Sequence, residues 1–212
     1  FPINKIKLTG NPIRKKIINL NDIKEIAFNK LKIDKSDKVI LILGGSLGAL
    51  TINNAVFKYI DYIEKQNNLK IIWQTGKYYY NEILEKLKKY NLNNILIMSF
   101  IDEIEYVYAI ADVIISRAGA IALSELCVVG KPVILVPSPN VTDDHQTKNA
   151  NYLAEKNAAI VIKDSEAIDK LIPEAIKLIN DDNKKKILSD NIKKIAKPNA
   201  TETIVDEIIK LL

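Results

Sequence analysis

The stretch "SRAGAIALSELCVVGKPVILVPSP", residues 116–139, places a carboxylate, Glu125, inside a run of small and apolar residues. An unpaired charge taken out of water costs several kcal/mol, so Glu125 demands a partner. Two kinds answer to the local pattern: a basic residue such as Arg117, or the vicinal hydroxyls of a ribose seated at the start of the same helix. Gly119 and Ala120 open that helix with unobstructed N–H groups, which carry about half a positive charge and suit a diphosphate. Glu125 lies about one and a half turns further on, within reach of the ribose of the same nucleotide.

Two more loops have comparable chemistry. In "LILGGSLGAL", residues 41–50, a strand runs into glycines at 44, 45 and 48 and then a helix, so the loop either lets the backbone approach an anion or serves tight strand-helix packing. A dinucleotide fingerprint is not met: the spacing is G-G-x-x-G, and the second strand ends "WQTG" without the acidic residue that would hold an adenosine ribose. No Gly-Lys-Ser/Thr follows, which excludes a Walker A loop. In "VPSPNVTDDHQTKNANYL", residues 136–153, two prolines fix an extended entry and Thr142 or Asp143 can cap the next helix. Gln146 and Asn149, at i and i+3, share a face, where amides suit the hydroxyls of a sugar. His145 reads as a capping or solvated residue. The Asp143/Asp144 pair complements the helix start, and with no spaced carboxylate or His/Cys cluster beside it neither a metal nor a cofactor is expected.

These loops need a frame. Apolar β-type runs occur at Val39–Leu43, Leu69–Thr75, Ile95–Ser99, Val113–Ser116, Val133–Val136 and Ala159–Ile162. Helical patterns lie between them at Ala49–Gln66, Tyr78–Tyr90, Asp102–Ala109, Ile121–Val129 and Asp143–Lys156. Strands apolar on both faces and separated by helices predict a parallel sheet covered on both sides, an α/β Rossmann-like doubly wound domain with ligands at the carboxyl ends of its strands. Gly130 is the expected stop of the Glu125 helix. The rest reads as helical, with Pro173 in the first turn of one helix and Pro198 breaking before the last, "ATETIVDEIIKLL".

Composition narrows the class. The 212 residues are 48% hydrophobic and 27% charged, and no apolar run approaches the roughly 18 residues of a membrane span. The net charge of +5 comes from lysines spread along the chain rather than gathered with aromatics, and the denser Lys184–Lys186 cluster follows an acidic pair at a helix start, so no nucleic acid is expected. One cysteine, Cys127, permits no internal disulfide. Trp73, the tyrosines and Cys127 have spacings that fit packing. The opening "FPINKIKLTGNPIR" has no signal-peptide pattern and reads as though cut from a longer chain.

Four motifs in order, "LTGNPIR" at 8–14, "GGSLGALTINN" at 44–54, "FIDEIEYVYAIADVIISRAGAIALSE" at 100–125 and "HQTKNA" at 145–150, resemble the donor-binding half of the MurG glycosyltransferases over nearly the whole chain. That family adds N-acetylglucosamine to undecaprenyl-diphospho-muramoylpentapeptide at the cytoplasmic face of the plasma membrane. The resemblance implies one domain over 1–212 of a two-domain GT-B enzyme, with residues 1–20 as interdomain linker and 200–212 as a helix crossing to a missing N-terminal acceptor domain. That helix has Ile204, Ile208 and Leu211 on one stripe, which then needs cover. The resemblance also implies UDP-N-acetylglucosamine as donor and membrane-bound lipid I as acceptor. Arg14 and the Ile101 backbone would lie at the uracil, and Gly45 and Ser46 at the diphosphate. Gly119, Ala120, Ile121, Ala122, Leu123 and Ser124 would cradle the phosphates, Glu125 would bind the ribose, and Gln146 and Asn149 would read the sugar. The family's general base belongs to the other domain, so no catalytic residue is expected here. Leu47 departs from the glutamine of many relatives, which bears on any polar contact at that point.

Overall fold

A computed structural model of the chain describes residues 2–211, apart from the side chain of Asn4; Phe1 and Leu212, the outer ends of the expected linker and last helix, lie outside the described residues. Six strands form the sheet: β1 (Lys38–Leu43), β2 (Leu69–Gln74), β3 (Ile95–Met98), β4 (Val113–Ser116), β5 (Val133–Leu135) and β6 (Ile160–Val161). Every pairing is parallel and the order is β3-β2-β1-β4-β5-β6. The alternating pleat sorts β1 between two cores. Val39, Leu41 and Leu43 pack with Phe28, Val107, Leu126 and Leu153, while Ile40 and Ile42 pack with Ile52, Ile63, Ile83 and Leu171. Both faces are therefore dry, which is why the strands read as unbroken apolar runs.

Ten α-helices are described: α1 (Lys24–Leu31), α2 (Leu50–Lys58), α3 (Ile60–Glu64), α4 (Tyr80–Leu87), α5 (Ile104–Ile110), α6 (Ala120–Val129), α7 (His145–Glu155), α8 (Asp164–Ile179), α9 (Asp182–Lys193) and α10 (Ala200–Ile209). The strands stand where the apolar runs predict them, and Gly130 ends α6 at a left-handed φ of 67°. Three expectations need correction. The stretch 49–66 is two helices, because the chain breaks at Tyr59. Pro173 sits inside α8 rather than in its first turn. The two departures meet: a proline has no N–H for the carbonyl four residues back, and the Tyr59 hydroxyl donates to that carbonyl, of Asp169, at 2.7 Å. Thirdly, neither Thr142 nor Asp143 caps α7. Asp143 and Asp144 both take left-handed backbone (φ 55° and 50°), and α7 has no side-chain cap bond.

The segment before α1 packs on the domain. Ile17 is fully buried, and Lys16 pairs at 3.3 Å with Glu105, a buried carboxylate on α5. The same segment touches α10, through Lys7 to Glu207 at 3.2 Å and Lys15 to Glu202 at 3.8 Å. On α10 only Ala200 is buried; Ile208, and Leu211 just beyond the helix, are exposed.

Candidate functional site

In this strand order the chain leaves β1 toward β2 and β3, then crosses to β4 on the other side, so the switch point lies between β1 and β4. Register sets Leu43 opposite Ser116, and the loops beginning at Gly44 and Arg117 leave the sheet side by side. Two of the three loops singled out from sequence thus flank one crevice. The third follows β5, the next neighbour of β4.

The glycine loop is shaped by contact with the loop after β2. A Cβ on Gly48 would stand 2.3 Å from the Thr75 carbonyl, and one on Gly76 would stand 2.1 Å from the Gly48 nitrogen, so the two backbones meet where no side chain fits. Lys77 N–H donates to the Ser46 carbonyl at 3.1 Å. Behind them the buried Trp73 indole donates to Asn53 at 3.0 Å, and Asn53 donates to the Thr75 carbonyl at 2.9 Å. Trp73 therefore packs, as its spacing predicts, and also ties α2 to the end of β2. Packing thus accounts for Gly48. Gly45, by contrast, has φ +81° and nothing within 4 Å of the point where a Cβ would stand, and Ser46 beside it is exposed with no hydrogen bond from its hydroxyl among the described residues. This end of the loop is open for a ligand.

Across the crevice, Gly119 is the N-cap of α6 with extended backbone, no side-chain cap and empty space where a Cβ would be. Ala120 and Ile121 are exposed and Ala122 half-buried, so the first turn, whose N–H groups have no partner within the helix, lies at the surface. Leu123 turns into the core, and Ser124 donates to the Ala120 carbonyl at 2.9 Å. Arg117 does not pair with Glu125. Its guanidinium donates to the Val136 and Pro137 carbonyls at 3.0 and 3.2 Å and pairs with Asp164 at the start of α8. Asp164 in turn accepts from Thr51 on α2 at 2.8 Å, so one arginine joins the exits of β4 and β5 to two helix starts.

Glu125 is buried, and its cation is Arg14: Nε stands 3.2 Å from Oε1. Burial raises the Glu125 pKa and Arg14 lowers it, with burial the larger influence. Tyr108, buried alongside, has its hydroxyl pKa raised by burial and then by the Glu125 charge. Cys127 on the same helix is pushed up to about 11 by burial, which leaves it a neutral packing residue.

On α7, Gln146 Oε1 accepts from the backbone N–H groups of Ala118 at 3.2 Å and Ser138 at 2.9 Å, and Asn149 Nδ2 donates to the Ala118 carbonyl at 3.2 Å. Both amides grip the β4 loop with one end, and Gln146 Nε2 and Asn149 Oδ1 remain unbonded among the described residues. His145 donates to the Thr142 carbonyl at 2.7 Å, a local turn contact. Ile101 is buried after β3 and its N–H is taken by Gln74 Oε1 at 3.2 Å. Among the described residues no three His, Cys, Asp or Glu side chains gather as a metal site.

Sequence reasoning missed Asn11, whose amide donates to Ser124 Oγ at 2.9 Å, although the motif "LTGNPIR" contains it. It also missed Lys16 and Glu105, for which no local signal exists. A cavity of about 390 Å³ lies beside this contact, between Leu8 to Asn11, α6 and α7, and Asn149 reaches its wall.

The "Glycosyltransferase family 28 C-terminal domain" description matches residues 39–207. A relative from Flavobacterium psychrophilum is 49% identical over all 212 residues and one from Bacteroides fragilis 46%; both are named UDP-N-acetylglucosamine--N-acetylmuramyl-(pentapeptide) pyrophosphoryl-undecaprenol N-acetylglucosamine transferase. The chain spans 57% and 56% of those relatives' lengths. The crystal structure of Acinetobacter baumannii MurG is similar with a TM-score of 0.69 at 29% identity, over 87% of this chain and 53% of that one. A UDP co-structure of S. aureus MnaA shares the fold at a TM-score of 0.70 and 18% identity, over 98% of this chain and 55% of that one. Full-length identity to the transferases, the match over most of the chain and the doubly wound sheet agree: this chain belongs to the glycosyltransferase family 28 C-terminal domain family.

Proposed function

We propose that this chain is the UDP-N-acetylglucosamine-binding half of an inverting transferase that adds N-acetylglucosamine to a lipid-linked muramoyl-pentapeptide, converting lipid I to lipid II in peptidoglycan synthesis. The observation that carries the reading is the convergence of the motif loops on the β1/β4 switch point, in a chain 46% to 49% identical to transferases of that name. In this reading the first-turn N–H groups of α6 and the Gly45-Ser46 corner hold the diphosphate. Fixed dipoles of this kind stabilise the charge that develops on UDP as it departs, and cost no reorganisation during the reaction. Glu125 accepts from both ribose hydroxyls, Arg14 and the Ile101 carbonyl address the uracil, and Gln146 Nε2 and Asn149 Oδ1 read the sugar hydroxyls. The muramoyl 4-hydroxyl attacks the anomeric carbon from the opposite face as the bond to UDP breaks. The base that takes its proton is assigned to the acceptor half, with residues 1–20 and 200–212 as the connections to it.

The acceptor is membrane-borne, so the whole protein is placed at the cytoplasmic membrane face; no helix among the described residues is long and apolar enough to cross it. The test is calorimetric binding of UDP-N-acetylglucosamine beside UDP-N-acetylgalactosamine, UDP-glucose and NAD, with and without chelator. Preference for the first, unaltered by chelator, is expected. Equal affinity for all four, or preference for NAD, would overturn the reading. Transfer assayed with a supplied acceptor half then tests the acceptor.

A further inference from the structure

The segment from Leu8 to Arg14 lies against α6 at two consecutive residues, both of which the functional reading gives to the nucleotide. Asn11 Nδ2 donates to Ser124 Oγ at 2.9 Å, and Arg14 Nε stands 3.2 Å from Glu125 Oε1. Both flanks of the segment are anchored. Upstream, Lys197 Nζ donates to the Leu8 carbonyl at 3.1 Å; downstream, Ile17 is fully buried and Lys16 pairs with Glu105. Between these anchors the Arg14 side chain is half open to solvent, 54% exposed against 8% for Glu125.

Resting on the ribose assignment above, we propose that the segment is a donor-sensing strap: Arg14 holds Glu125 in the unliganded protein, and the ribose of an incoming uridine nucleotide displaces it. The argument is one of room. A vicinal diol engages both oxygens of a carboxylate, and the Arg14 guanidinium already stands against one of them, Oε1. With only 8% of the Glu125 side chain open to solvent, a sugar and a guanidinium compete for one face. The carboxylate cannot go without a partner, since burial already opposes its charge. The half-exposed guanidinium gives little up by leaving, because ion pairs in water are weak. It is then free to meet the uracil oxygens. Exchange therefore converts occupancy of the α6 seat into a changed contact on the segment expected to join this domain to the acceptor half.

The chain contains two arginines, Arg14 and Arg117, so its arginine Nε–Hε spectrum holds two resonances, which Arg14→Lys assigns. The 15N-labelled chain is titrated with UDP while calorimetry follows binding. The Arg14 resonance is expected to move toward its position in unliganded Glu125→Gln, with Glu125→Asp as a second reference should the first fold poorly. The Arg117 resonance, held by Asp164 and two carbonyls, is expected to stay. At matched occupancy 2′,3′-dideoxy-UDP should leave Arg14 in place. UDP binding with an unmoved Arg14 resonance, or equal movement with the dideoxy analogue, overturns the exchange alone. Failure of UDP to bind overturns the functional reading and this inference together.

Discussion

Replacing Glu125 by glutamine keeps size and shape and removes the charge. In the ribose reading the carboxylate accepts two charge-assisted hydrogen bonds, whereas the amide accepts at one oxygen and turns a donor toward the other hydroxyl. Bonds to charged groups contribute about 1.5 to 3 kcal/mol, so UDP affinity should fall roughly 10- to 150-fold. The effect on folding runs the other way from what an ion pair suggests. Burial outweighs Arg14 and raises the Glu125 pKa above its ordinary value, so the folded state holds the proton more tightly than the unfolded one. The stability this group contributes is present in full below the unfolded carboxyl pKa and is lost as pH rises through the raised folded value. At neutral pH the wild type bears that loss and the glutamine variant does not. The variant should therefore melt no lower than wild type at pH 7, and the two melting curves should converge as pH falls below the folded pKa. Calorimetric titration with UDP and thermal melts across pH measure both. UDP affinity within about twofold of wild type would refute the ribose assignment, and a clear drop in melting temperature at pH 7 would show that the Arg14 pair outweighs burial.

Gln146→Ala should lower stability by about 1 to 3 kcal/mol because the Ala118 and Ser138 N–H groups lose their acceptor, whereas Gln146→Glu keeps the acceptor and the melting temperature. The glutamate variant should nevertheless weaken UDP-N-acetylglucosamine relative to UDP, and an unchanged ratio would place the amide away from the sugar. Gly48→Ala combines a left-handed φ of +92° with a Cβ 2.3 Å from the Thr75 carbonyl, so it should cost about 1 to 3 kcal/mol more than Gly45→Ala, which has space around it. Thermal melts of the two variants check this, and equal losses would count against the close approach of the two loops. Tyr59→Phe should cost about 1 kcal/mol, and less in a Pro173→Ala background, where the new helical N–H takes the Asp169 carbonyl. Strict additivity in that double-mutant cycle would show that Tyr59 does not serve the carbonyl.

The sheet was legible because strands buried on both faces have to be apolar throughout, and the loops after β1, β4 and β5 followed from it. α1 was not legible: in "KEIAFNKL" the apolar residues do not form one buried stripe, since Ala27 and Phe28 are buried but Ile26 is exposed. The break at Tyr59 carries no glycine or proline, so no local signal marks it, and the bond its hydroxyl makes to the Asp169 carbonyl reaches 110 positions along the chain. The demand of Glu125 for a partner was readable from its apolar neighbours. The identity of that partner was not, because Arg14 arrives from a segment 111 residues earlier, while the cation inside the motif, Arg117, is drawn away by Asp164 and the carbonyls after β5. Glu105 hid for the same reason: its burial depends on Lys16 and a segment that only the folded chain brings near.

The placement of the two arginines has a compositional consequence. Of the 31 residues that are Lys or Arg, only Arg14 and Arg117 are Arg. Most of the lysine ion pairs lie on the surface, where a compact point charge on a flexible stem is enough. Arg117 bonds two carbonyls and a carboxylate at once, and Arg14 faces the buried carboxylate beside the proposed nucleotide seat. These are positions where a planar fork with five donors does something an ammonium cannot. In a chain this rich in lysine, the choice of cation becomes a marker: Arg14→Lys and Arg117→Lys, conservative by charge, are the basic-residue exchanges with the most to lose.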